Sequence, residues 1–99
     1  FPEVIMSTNK NITIPKPGSI LIFQDYPFTT RQIMCIYLMM HGYTSYKAMS
    51  DKLAISVSVI KKEMLDIYRI FGVQNREMLY IALSQYNLVY PDYVEKLKD

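Results

Sequence analysis

Residues 45–73, SYKAMSDKLAISVSVIKKEMLDIYRIFGV, constrain the fold more than any other stretch. Ser45 and Ser56 stand where a hydroxyl can take a free amide at a helix start. They predict a short helix over 46–53, with Met49 and Leu53 inward, and a longer one from 57 to about 71. Ala54-Ile55 makes the turn between them, and Gly72 ends the second helix. Ile60, Met64, Ile67 and Phe71 form its apolar stripe. Ser58, Lys61, Lys62, Leu65 and Arg69, spaced i, i+3, i+4, i+7, i+11, share the opposite face. A short helix, a tight turn and a longer helix with a basic outer face is the arrangement that lays a helix in the DNA major groove. Glu63 and Asp66 on the same helix leave it a net charge of only +1.

The flanking chain supplies a frame. Thr29 and Gln32 match a capping box, so a helix over 30–41 follows, with Ile33, Ile36, Tyr37 and Met40 as its stripe and Gly42 as its stop. Asn75 caps a helix over 76–86 with Leu79, Ala82 and Leu83 inward, and Asn87 is its left-handed terminal residue. Pro91 suits a first helical position, so 91–98 forms a last short helix or a frayed end. Before residue 28, Val4 to Met6 and Ser19 to Phe23 read as two short strands around a turn at Pro15-Lys16-Pro17-Gly18, or else as an irregular linker. The expected fold is all-α: a four-helix bundle, five with the last segment, behind an irregular or short-strand N-terminal segment. The expected division is a linker or extension over 1–27, a helix-turn-helix domain over 28–89 and a tail over 90–99.

Composition removes other classes. Ninety-nine residues make one domain with a modest core. No apolar run approaches the ~20 residues that span a bilayer, and no signal peptide is evident. The chain starts at Phe1 rather than Met, which suggests a piece of a longer protein or a trimmed one. A single cysteine, Cys35, excludes an internal disulfide and reads as a small buried hydrophobe. The single histidine, His41, suits the end of its helix, where a cation meets the helix dipole. There is no G-x-G-x-x-G, P-loop, H-E-x-x-H or G-x-S-x-G pattern, so neither an enzyme nor a cofactor is expected. Net charge is +2, and residues 28–89 carry seven Lys/Arg against four Asp/Glu, or +3. That is compatible with nucleic acid without requiring it.

Residues 28–89 resemble the LuxR/GerE-type (NarL-type) DNA-binding domain over about two thirds of the chain. Phe28-Thr29-Thr30-Arg31-Gln32 matches the family's opening apolar-Thr-x-Arg-Glu. Gly42 to Ser45 matches its Gly-apolar-Ser/Thr helix break with one extra residue. Tyr46-Lys47-Ala48-Met49-Ser50 stands for Asn-Lys-Glu-Ile-Ala, Leu53-Ala54-Ile55-Ser56 for Leu-Gly-Ile-Ser, and Val59-Ile60-Lys61 for Thr-Val-Lys. Phe71-Gly72-Val73, Asn75-Arg76 and Asn87-Leu88-Val89 match the remaining landmarks. The departures are Gln32 and Ala48 for Glu, Val59 for the phosphate-holding Thr, and Glu63 where His is frequent. The resemblance implies a cytoplasmic bacterial transcription regulator that binds double-stranded DNA. It further implies homodimerisation through the helix over 76–86 on a palindromic site, and often an upstream sensor or receiver domain.

The residues expected to carry binding are Lys47, Ser56, Ser58, Lys61, Lys62, Leu65 and Arg69. The capped start at Ser56 leaves amides for a phosphate. Lys61 and Lys62 reach phosphates or guanine edges, Leu65 meets a thymine methyl, and Lys47 touches the backbone. The competing expectation is a degenerate helix-turn-helix domain used for protein–protein contact. A sigma-factor promoter-reading domain fits less well, because a fourth helix follows Gly72.

Overall fold

Each α-helix starts where a side-chain oxygen takes an otherwise orphaned amide. In the computed structural model, which describes residues 15–97, α1 spans Thr30–Met40. The Gln32 N–H donates to Thr29 Oγ1 and the Thr29 N–H to Gln32 Oε1, both at 3.1 Å, closing the expected capping box. α2 (Tyr46–Leu53) starts at Ser45, whose Oγ accepts from the Ala48 N–H at 3.0 Å. α3 (Val57–Phe71) starts at Ser56, which accepts from Val59 at 3.4 Å. α4 (Arg76–Ser84) starts at Asn75, which accepts from Met78 at 2.9 Å.

The ends of α1, α2 and α3 share one mechanism, a left-handed residue, whereas α4 ends at a right-handed Gln85. Gly42, at φ +98°, lets the Tyr43 N–H turn back to the Leu38 carbonyl at 2.9 Å. Gly72, at φ +70°, does the same for Val73 and Tyr68 at 3.0 Å. After α2 the left-handed position is filled by Ala54, at φ +56°, while the Ile55 N–H reaches the Ser50 carbonyl at 3.2 Å. The Ser50 hydroxyl donates in return to the Ile55 carbonyl, so the α2–α3 turn is fastened in both directions. A Cβ in that conformation costs about 1–2 kcal/mol, against which glycine loses about 0.4–1 kcal/mol through unfolded-chain entropy. Ala54→Gly is therefore expected to stabilise the domain by about 0.5–1 kcal/mol, read as a higher urea midpoint at unchanged slope. An unchanged or lower midpoint would contradict the strain at this turn.

The remaining elements depart from expectation in detail. The N-terminal strand is only Ile20–Ile22 (β1), and Phe23–Asp25 form a 3-10 turn instead of extending it. β1 pairs in parallel with Asn87–Val89 (β2), with Leu21 opposite Leu88. Asn87 is thus a strand residue and not the left-handed end of α4, which stops at Ser84 rather than 86. Its amide donates to the Ser19 carbonyl at 3.0 Å, a partner only an extended backbone reaches. Val4 to Met6 lie outside the described residues. The last helical segment, Asp92–Leu97, is 3-10 instead of α and buries Val94 completely.

The core is a helical bundle with the two-stranded sheet at its edge. Ile36, Leu38, Met49, Ile60, Met64, Ile67, Leu79 and Leu83 are fully buried in it. Leu21 and Phe23 join the same core, with Phe23 edge-on to Phe28 at 5.5 Å and stacked on Tyr90 at 5.1 Å. Tyr37 crosses Tyr90 edge-on at 5.0 Å, so aromatic rings tie the N-terminal segment, α1 and the C-terminal segment together. No described helix is long and apolar enough to cross a membrane.

Candidate nucleic-acid interface

α3 is positioned by its apolar stripe. Ile60, Met64 and Ile67 are fully buried and Tyr68 nearly so. At roughly 1.5–3 kcal/mol per buried side chain, that stripe fixes which face looks outward. Ser58, Lys61, Lys62, Leu65 and Arg69 are all exposed on the other side, as their spacing predicts. Leu65 is 54% exposed, an apolar side chain standing in water between lysines and an arginine. Ser56 Oγ lies 3.3 Å from Ser58 Oγ, so two hydroxyls meet at the helix start. Val57, exposed beside them, did not figure among the expected site residues. Lys47 is exposed on α2, apart from the α3 face.

The charges sort themselves by partner. Glu63, one of the two acids that the sequence sets on this helix, turns toward α1, where Arg31 Nη1 donates to it at 3.2 Å. Its side chain is mostly covered, so its charge is answered locally and off the basic face. Asp66 pairs with Arg69 at 2.8 Å, and Lys47 with Asp51 at 2.8 Å. Lys61 and Lys62 make no ion pair among the described residues. Exposed pairs of this kind hold only about 0–1 kcal/mol, so Arg69 and Lys47 can exchange a carboxylate for a phosphate at small cost. Asp66→Asn frees Arg69 and removes a like charge from an anionic ligand's path. It is expected to raise affinity for duplex DNA roughly three- to tenfold while changing stability by less than about 0.5 kcal/mol. Electrophoretic mobility shift with a fixed duplex reads the first quantity and thermal melting the second. Equal or weaker binding would place Asp66 and Arg69 outside the contact.

The nucleophile and base candidates are placed for packing. Cys35 is fully buried, and desolvation, with a smaller push from Glu63, raises its thiol to about 12 against relief from Arg31. Since only the thiolate reacts, the native chain should resist alkylation at pH 8 and react once unfolded by urea, as mass spectrometry would read. Rapid native labelling would contradict the burial. The His41 Nδ1–H donates to the Tyr37 carbonyl at 2.8 Å, and its ring stacks on Tyr37 at 4.1 Å. His41 thus covers a last-turn carbonyl of α1, the capping role its position predicts. Among the described residues no three His, Cys, Asp or Glu side chains converge as a metal set.

A second surface lies on α4. Leu79 and Leu83 face the core, while Met78, Tyr80 and Ile81 are 42%, 49% and 59% exposed. Tyr80 and Ile81 line a groove of about 630 Å³ together with Met40, Gly42, Thr44, Arg76 and Glu77. The Arg76 guanidinium also sits 5.0 Å over the Tyr46 ring, and the Tyr46 and Tyr68 hydroxyls lie 3.4 Å apart, joining α2, α3 and α4. Burial and that neighbouring hydroxyl push the Tyr68 phenol far up, so it stays neutral.

No family model, curated protein or solved structure matches the chain.

Proposed function

We propose that this domain binds double-stranded DNA as the effector part of a transcription regulator, with α3 entering the major groove. The observation that carries the reading is the outer face of α3. Lys61 and Lys62 stand exposed and without an ion pair among the described residues beside Ser58, Leu65 and Arg69, while Glu63 is held by Arg31. Phosphate contacts position such a helix, and base edges specify its site. Here Lys61 and Lys62 supply the charge, Leu65 the apolar contact for a thymine methyl, and the hydroxyls of Ser56 and Ser58 hydrogen bonds at the helix start. Lys47 on α2 adds a backbone contact by leaving Asp51. The likeness of residues 28–89 to the LuxR/GerE-type pattern supports the same reading, as does the α2–α3 turn.

The reading includes pairing of two copies through α4. Tyr80 and Ile81 project beside the groove that they help to line, so a two-fold axis seats each copy's side chains in its partner's groove. Arg76 and Glu77, which also line the groove, offer opposite charges to the same partner. The test is a fluorescence anisotropy titration of mixed genomic fragments from 50 to 200 mM salt. Counterion release by several contacts predicts affinity falling steeply and linearly on logarithmic axes. Absence of binding at 50 mM salt would refute the reading.

One observation favours a second reading, a domain of this build used only for protein contact. Arg69 and Lys47 are both occupied by acids of their own helices, while α4 presents three large apolar side chains. That reading predicts self- or partner association with no response to DNA.

A further inference from the structure

α4 is lightly held. It has nine residues, too few for a helix to persist alone in water, and of these only Leu79 and Leu83 are buried. Its first turn is fixed by the Asn75 cap and by Arg76 over Tyr46. The residues just after its last turn, Gln85 to Asn87, are fixed from the other end of the domain. The Gly18 N–H donates to the Gln85 carbonyl at 2.6 Å, and the Tyr86 hydroxyl donates to the Pro15 carbonyl at 2.8 Å. The Asn87 N–H donates to the Ser19 carbonyl, and β1 then pairs with β2.

The N-terminal segment that makes these bonds has two parts of different character. Leu21 and Phe23 are completely buried and anchor it in the core. Pro15 to Ser19 lie at the surface, half-buried or exposed, and their bonds to the residues that follow α4 are few and near water. Such bonds open without opening the core. Gly18 makes the approach possible, since its φ of +93° is closed to most other residues.

We propose that residues 15–25 are a clasp that sets the order of α4 and, through it, the surface carrying Met78, Tyr80 and Ile81. With the clasp seated, Gln85 and Tyr86, which follow α4 directly, have partners for their carbonyl and hydroxyl groups. With residues 15–19 lifted, α4 loses its second anchor while α1, α2 and α3 keep their own packing. Any pull or competing contact on the N-terminal segment is thereby converted into a change at α4. The consequence for pairing rests on the reading of α4 as the pairing helix, whereas the clasp itself does not.

Hydrogen–deuterium exchange on the full chain separates the two. In Gly18→Val the β-branched residue cannot hold φ +93°, so the amides of residues 79–83 should exchange about tenfold faster, with those of α1 and α3 changing less than about twofold. Tyr86→Phe removes one bond and keeps the backbone, so it should give the same pattern at roughly threefold. Equal acceleration in all helices, or none in α4, would overturn the clasp. Sedimentation of the unaltered chain tests pairing independently: a monomer refutes the pairing of α4 and leaves the exchange pattern to decide the clasp.

Discussion

Replacing Lys61 and Lys62 together with alanine is expected to weaken duplex DNA binding roughly 100-fold near 0.1 M salt. Each lysine that displaces a counterion contributes about 0.9 to the logarithmic salt slope, or close to one decade of affinity at that concentration, so the slope should also flatten by about 2. The fold should survive the change. Both side chains are exposed, neither makes an ion pair among the described residues, and alanine favours the helix. Anisotropy titrations at several salt concentrations read both effects, and circular dichroism checks the fold. An unchanged slope would mean that α3 turns some other face to the nucleic acid.

The largest expected effect on stability lies at Phe23. Phe23→Ala should cost about 3–5 kcal/mol, a large share of the ~5–15 kcal/mol that holds a domain of this kind. Phe23 is completely buried and meets both Phe28 and Tyr90, so its removal opens a cavity where the N-terminal, α1-entry and C-terminal segments join. At roughly 4 °C or more per kcal/mol, the melting temperature should fall by on the order of 15 °C. A cost below about 1 kcal/mol would mean that the segment before α1 only lies against the bundle.

These two sites differ in how readable they are. The α3 face follows from local rules. Ser56 caps within its own turn, the stripe of Ile60, Met64 and Ile67 repeats at helical spacing, and exposure of Lys61 and Lys62 follows from that spacing. The starts of all four α-helices are readable for the same reason, since Thr29, Ser45, Ser56 and Asn75 each bond an amide three residues on. Phe23 and β1 are not readable this way. Three residues cannot announce a partner strand at the far end of the domain, and local pattern gives Asn87 a helix-ending role that the pairing with β1 overrides. The partner of Glu63 was equally hidden, because Arg31 reaches it only through the way α1 packs on α3. The Glu63 charge, which by sequence only lowers the net charge of α3, is therefore a tie between two helices. The unaided charge of the outer face is Lys61 and Lys62, with Arg69 in exchangeable partnership with Asp66.

The central claim is that this particular face of α3 meets DNA. Amide and side-chain NMR shifts of the isotope-labelled chain, followed while a short duplex is added, test it most directly. The account predicts shifts that cluster on Ser56, Ser58, Lys61, Lys62, Leu65 and Arg69, with a weaker group near Lys47. Shifts confined to α4, or no shifts at low salt, would contradict it.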